Sequence, residues 1–305
     1  MPLNKKKDKI RQRLLKIRAK KVITATGSIE RPLIFNNNDR PGIILSSAIK
    51  KYSDYYGVVC GKENILFTNN DSAYETAISL FNKGIKINAI IDIREKVNSE
   101  ITNHAEKIGK KIYNSYTIVD TSGYRRIKEV SIMKLSKDGQ SVTGSKIKIK
   151  CNCLGISGGW TPAVHLFTQS GGKLKFDNED NVFIPSKYPS DQISIGSCNG
   201  EFDLNTIIKN FNQNIKNFLG IDKTSFEDLK INSTKEILKR NIWLLPSDKA
   251  IGKCKPFVDF QNDATAKDIK LALREGFRSI EHVKRYTTTG MGTDQGKLGN
   301  MHALG

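Results

Sequence analysis

Thr68-Asn69-Asn70-Asp71 lies where an apolar run hands over to an amphipathic one, the place at which a nucleotide fold cradles a pyrophosphate. Glycines there let the backbone approach the phosphates and let strand and helix pack closely. This turn has none, and Asp71 adds a negative charge where a helix N-terminus would greet an anion. Asp92, at the end of the next apolar run, is spaced for a ribose hydroxyl, although an acid ending a strand is common. These residues predict a nucleotide fold whose turn is empty. Ala25-Thr26-Gly27 ends a β-branched run with small residues, which either back onto a cofactor or simply close a turn. Cys151-x-Cys153 would put two thiols on one face of a strand. No partner pair completes four zinc ligands, so two half-buried strand cysteines are expected. His165, beside Val164 and Phe167, reads as a core histidine, and His104 and His282 as solvated helix residues. Trp160, among glycines, reads as packing. No residue is assigned a catalytic role.

The elements that must position these groups follow from periodicity. Lys20–Gly27 is a short strand running into a tight turn, and Ser46–Gly57 is a helix with serines in front and glycine behind. Ile65–Thr68 is a strand, Ser72 with Glu75 predicts a capping box, and Ala73, Ala77, Leu80 and Phe81 share one helical face. Lys86–Asp92 completes a βαβ unit of mononucleotide-binding size. Asn98–Lys111 reads as a helix, and 116–119, 127–135 and 147–154 as strands joined by turns at Ser122-Gly123 and Asp138-Gly139. Pro162, inside the glycine-bounded stretch Gly155–Gly172, suits a helix start. Ile193–Gly196 is a last short strand. Leu204, Ile208, Phe211, Ile215 and Phe218 form a helical apolar stripe, and two further helices span Thr265–Gly276 and Ser279–Gly290.

A strand, an interrupting βαβ unit with a meander, and a return strand is the order of two-dinucleotide flavoprotein reductases. Four blocks narrow the resemblance: Val22–Ile43, Thr68–Ala77, Gly158–Leu174 and Phe257–Lys297. Together they resemble the central part of the alpha subunits of heterotetrameric sarcosine oxidases. The resemblance implies an α/β fold: an incomplete FAD/NAD(P)-binding Rossmann-like domain of the glutathione reductase type, an inserted second Rossmann-like domain and a small α-helical module. It places the partial first domain at 1–62, the insertion at 63–155, the return to the first domain at 156–220 and the module at 221–305. Family members are much longer, and the chain reads as a fragment, or as the product of a truncated or split gene. The first GxGxxG turn and the folate-binding domain, hence the tetrahydrofolate site, are expected to be absent.

The same resemblance assigns Ala25, Thr26, Gly27 and Gly196 to cofactor binding. Flavin-binding relatives carry an aspartate after that last glycine, whereas Ser197 and Cys198 follow here. This departure favours NAD, with FAD and FMN expected on a partner subunit. The C-terminal helices resemble ferredoxin-like [2Fe–2S] modules, in which four cysteines hold the cluster. Phe257–Phe260 and Thr293–Gly299 contain none, and Asp259 and Asp294 stand there instead, so no metal is expected. The implied function is oxidoreduction of N-methyl amines in a complex with beta, gamma and delta subunits: sarcosine to glycine, with the one-carbon unit passed to tetrahydrofolate or released as formaldehyde, and hydrogen peroxide formed. This chain would be the NAD-binding scaffold, inactive alone; the alternative is a truncated interaction module.

Composition sets wider bounds. The chain has 305 residues, 38% hydrophobic and 27% charged, enough for two domains. Five scattered cysteines and no secretory signal point to a reducing, cytoplasmic setting, and no apolar run is long enough to span a bilayer. The charge of +19 invites a nucleic-acid reading, but phosphate binding needs clusters, and only Lys5–Arg13 clusters. That reading is the least favoured.

Overall fold

The fold is that of a computed structural model, which describes residues 13–220 and 240–305. Most of the basic N-terminal cluster, and the first part of the expected C-terminal module, lie outside these residues. In chain order, β1 (Val22–Thr24), β2 (Ser28–Glu30) and β3 (Ile43–Leu45) lead into α1 (Ser46–Tyr56). Next come β4 (Asn64–Thr68), α2 (Ser72–Asn82), β5 (Ile87–Asp92), α3 (Glu100–Lys107) and β6 (Ile112–Asn114). A meander follows: β7 (Tyr116–Ser122), β8 (Glu129–Leu135) and β9 (Val142–Lys150). The chain then returns through β10 (Cys153–Ser157), β11 (Trp160–Pro162), α4 (His165–Gln169), β12 (Lys173–Asp177), β13 (Val182–Lys187) and β14 (Gln192–Ser194). α5 (Leu204–Leu219), β15 (Phe257–Asp259), β16 (Ala264–Thr265), α6 (Ala266–Arg274), α7 (Ile280–Thr287) and α8 (Asn300–Leu304) complete it.

The frame is a five-stranded parallel sheet in the order β3-β10-β4-β5-β6. Successive side chains on a strand face opposite ways, so the buried run of β4 feeds two cores. Ile65 and Phe67 join Leu33, Phe35 and Ile91 under the meander, while Leu66 joins Ile49, Tyr74 and Leu80 beneath the helices. A Cβ at Gly155, on β10, would lie 2.6 Å from Leu66 Cδ2 and 2.7 Å from Ile49 Cδ1, so glycine there lets α1 pack closely on the sheet.

Several expectations shift. The sheet takes in β3 and is backed by α1, both upstream of the boundary expected at residue 63. The single strand expected over 147–154 is two, because the chain leaves the meander at Cys151-Asn152 and enters the parallel sheet at Cys153. The two cysteines are therefore fully buried in different cores, not half-buried on one face, and burial pushes both thiols up to about 12. Pro162 starts no helix: it ends β11, paired with Ser28 at the end of a two-stranded ribbon, where a missing N–H is tolerated. The last helix of the pair stops at Thr288, which takes the left-handed φ of 61° before Gly290.

The C-terminal elements are sewn to the sheet by an asparagine loop. Asn36 Oδ1 accepts from Lys255 N at 2.8 Å, Asn38 Oδ1 from Phe257 N at 2.8 Å, and Asn38 Nδ2 donates to Phe257 O at 2.9 Å. Asn36 and Asn37 also donate to Asp120 of β7. Val258 and Ala266 pack on Ile34. Asp259 accepts from the backbone of Gly290 (2.7 Å), Gln261 (2.8 Å) and Asn262 (3.0 Å). Burial opposes its charge, but these N–H groups hold its carboxyl below the usual range.

Candidate functional site

β1 and β14 run parallel, Val22 opposite Gln192 and Thr24 opposite Ser194, so their carboxyl ends emerge side by side. Ligands of open α/β sheets bind at such ends. Ala25, Thr26, Gly27 and Gly196, far apart in the chain, are thereby brought together. Gly27 (φ 74°) and Gly196 (φ 75°) take left-handed backbone conformations that side chains disfavour. A Cβ at Gly27 would be 4.0 Å from Ser197 Oγ, so conformation rather than crowding calls for glycine. Thr26 Oγ1 donates to Ala163 O at 2.6 Å, and Ala163 N to Gly27 O at 2.9 Å. Beneath them Cys198 Sγ donates to Thr24 O at 3.3 Å, and Gln192 Nε2 to Thr24 Oγ1 at 2.9 Å. Ala25 and Thr26 remain exposed.

This small, braced surface fits one wall of a dinucleotide site. It does not fit a phosphate cradle, which needs converging N–H groups at a helix start. Gly196–Asn199 is only a four-residue 3₁₀ turn.

The second nucleotide turn is sealed by its own side chains. Asn70 is fully buried; its Oδ1 accepts from Ser72 N at 3.0 Å and Ser72 Oγ at 2.6 Å. Its Nδ2 donates to Asn69 Oδ1 at 2.9 Å and Ser157 Oγ at 3.0 Å. Asn70 N is taken by Thr68 Oγ1 (3.0 Å) and Asn69 N by Ser157 O (3.3 Å), so three amides that could meet a phosphate already have partners. The capping box expected from Ser72 and Glu75 does not form; Asn70, two residues ahead of Ser72, serves α2 instead. Asp92, fully buried, accepts from Arg94 Nη2 at 2.8 Å and Tyr74 Oη at 2.8 Å. Arg94 Nη1 bonds Asp71 at 2.8 Å. Burial works against the Arg94 charge, but Asp92 and Asp71 outweigh it and hold its pKa above the ordinary value. No oxygen of Asp92 is left for a ribose at the surface.

Between the two turns lies a cleft of about 330 Å³, lined among others by Ser28, Ser72, Trp160, Ser197 and Phe202. Trp160 is half-buried and Nε1 donates to Ser72 Oγ at 3.1 Å. Asp71, Glu75 and Asp203 also line the cleft and no basic residue does, which disfavours phosphate.

His165 is exposed at the start of α4, not in the core; Phe167 is the buried residue of that helix. Partial burial and the Lys297 charge lower its pKa. His104 and His282 are exposed as expected. The buried histidine is His302, which periodicity does not mark because α8 is only five residues long. Glu30 was also unmarked: it is buried, and Oε2 accepts from Ser47 N at 2.9 Å and Ser47 Oγ at 2.5 Å in the first turn of α1. Burial raises its carboxyl above the usual range, against the hydroxyls of Ser47 and Ser157. Its alternation pattern is simply that of a strand residue, and only the helix start it caps reveals it. Among the described residues no group of His, Cys, Asp or Glu is arranged to hold a metal, and no helix is long and apolar enough to cross a membrane.

Comparison with known proteins agrees with this frame. Residues 253–305 match the sarcosine oxidase A3 domain family. The alpha subunit of sarcosine oxidase from Corynebacterium sp. (strain P-1) is 33% identical over 306 residues, covering 97% of this chain and 31% of that protein. That of Rhizobium meliloti (strain 1021) is 33% identical over 304 residues, covering 96% and 28%. Among solved structures, L-proline dehydrogenase from P. horikoshii superposes with a TM-score of 0.62 at 19% identity, covering 93% of this chain and 53% of that one. That likeness carries the FAD/NAD(P)-binding α/β fold alone. The chain is thus a relative of sarcosine oxidase alpha subunits, spanning less than a third of the length of those it matches.

Proposed function

We propose that the chain is the NAD-facing scaffold part of the alpha subunit of a sarcosine oxidase-like complex. The observation that carries this is the placing of Gly27 and Gly196, both at positive φ, just beyond the paired strands β1 and β14, beside a second turn that is sealed. Ala25, Thr26, Gly27 and Gly196 form one wall of the dinucleotide site, and the phosphate cradle comes from elsewhere in the assembly. The complex oxidises N-methyl amines, sarcosine to glycine, passing the one-carbon unit to tetrahydrofolate or releasing formaldehyde and forming hydrogen peroxide. FAD and FMN, carried by a partner subunit, supply the hydride-accepting chemistry. The residues here orient and brace: Cys198 ties the end of β14 to Thr24 of β1, Thr26 ties the end of β1 to Ala163 after β11, and Asn70 and Arg94 keep the second turn closed. The beta, gamma and delta subunits are the proposed partners, and the cytoplasm the proposed setting.

A second reading, an interaction module that binds no cofactor, draws support from α5. Only Ile215 of its expected stripe is buried and Leu204 of the same stripe is exposed, as are Val22 and Ile23 of β1. Co-expression with the beta subunit separates the two. Sarcosine-dependent peroxide formation that requires this chain, and falls when Gly27→Val is introduced, supports the first; an assembled complex indifferent to Gly27→Val supports the second.

A further inference from the structure

A cavity lies away from the strand ends, between the C-terminal helices and the edge of the meander. It encloses about 670 Å³, the size of small-molecule sites in general. Ile34, Leu244, Ile269 and Leu273 give it apolar walls, and the indole of Trp243, with the Arg31 guanidinium 5.4 Å from its ring centroid and Gly305 packed against it, closes one side.

His302 also lines it, 9% exposed, and neither ring nitrogen makes a hydrogen bond of normal geometry. The imidazole meets the Trp243 ring edge-on at 5.6 Å. The Pro32 and Trp243 carbonyls lie near enough to favour its proton, yet burial and the charge of Arg31 dominate, so the ring is neutral. A neutral imidazole offers one donor and one acceptor, and a buried polar group without partners costs about 1–3 kcal/mol unless a ligand or water supplies them. At the rim, Lys137 and Lys270 are exposed and make no ion pair among the described residues, whereas Arg240 is committed to the carbonyls of Ile93, Ser136 and Lys137. Asp138 is the one acid lining the cavity.

We infer that this cavity is a binding site for a largely apolar anion: an aryl ring seated among Leu244, Ile269 and Leu273, a hydroxyl or amide meeting His302, and a carboxylate held by Lys137 and Lys270. The neutral histidine rejects a second charge inside, because an unpaired charge there would be desolvated without compensation. The site is independent of the strand-end wall, and its occupancy does not depend on the dinucleotide reading.

The test uses 6-hydroxy-2-naphthoate as probe, titrated calorimetrically into the full chain. Saturable 1:1 binding is expected. Lys270→Glu, at an exposed position that leaves the fold intact, should weaken it about five- to tenfold, as loss and reversal of a surface charge interaction would. 2-Naphthol, lacking the carboxylate, should bind more weakly than the naphthoate, and 2-naphthoate, lacking the hydroxyl, should bind more weakly too. Ile269→Trp, which fills the cavity, should abolish binding. The inference is overturned by absence of saturable binding, or by equal affinity for all three probes that Lys270→Glu leaves unchanged, since that would be adsorption to apolar surface.

Discussion

Replacing Asn70 by alanine tests whether the second nucleotide turn is structural. The side chain is fully buried and makes two accepted and two close donated hydrogen bonds. Truncation leaves Ser72 N, at the start of α2, and the Ser157 hydroxyl without their partner. Loss of a helix-start acceptor costs about 1 kcal/mol, and a buried group left unsatisfied costs about 1–3 kcal/mol. Together these give about 2–4 kcal/mol, a large share of the ~5–15 kcal/mol that holds a typical domain. Water entering the space would lower the figure, and loss of the Asn69 contact would raise it. Urea unfolding should show the midpoint shifted at unchanged slope, while NAD titration shows no change in affinity. Stability within about 0.5 kcal/mol of the parent, the range of an ordinary surface substitution, combined with altered nucleotide affinity, would refute the reasoning, because the turn would then be a binding loop and not a plug.

Three further outcomes follow from the same structure. Arg94→Met strands the buried Asp92 carboxylate and should cost about 3–5 kcal/mol, with the double change Asp92→Asn, Arg94→Met recovering part of it in chemical denaturation. Gly155→Ala overpacks α1 against β4 and should cost about 1–3 kcal/mol by the same measurement. His302, whose folded pKa is lowered from 6.5 to about 3, binds its proton first in the unfolded chain. Its contribution is therefore whole above pH 6.5 and lost as pH falls towards 3, at up to about 1.4 kcal/mol per unit. Unfolding free energy measured between pH 7 and 5 should flatten in His302→Gln, and an unchanged slope would contradict a buried neutral imidazole.

How much of this the residues announced depends on the length of the pattern each belongs to. β4 and α2 carry enough apolar periodicity to be read directly, and the glycine-free turn between them predicted a nucleotide fold with an empty turn. β3 and β11 are three residues each, too short for alternation to appear, so the sheet's true edge and the strand role of Pro162 were invisible. The break at Cys151-Asn152 has no glycine or proline to mark it, which is why two strands read as one. The asparagine loop 36–38 looks like an ordinary turn; its work is done by partners more than eighty residues away, Asp120 and Phe257. His302 and Glu30 acquire their character only from what folds over them, Trp243 and Arg31 in one case and the start of α1 in the other.

The proposed NAD site implies one asymmetry: a dinucleotide would meet the strand-end wall and not the sealed turn. Amide chemical shifts followed during an NAD titration test it directly. The expected result is weak binding whose shifts centre on Ala25, Thr26, Gly27 and Gly196 and spare Asn69, Asn70 and Asp71. Shifts centred on Asn69–Ser72, with the strand ends unmoved, would contradict it.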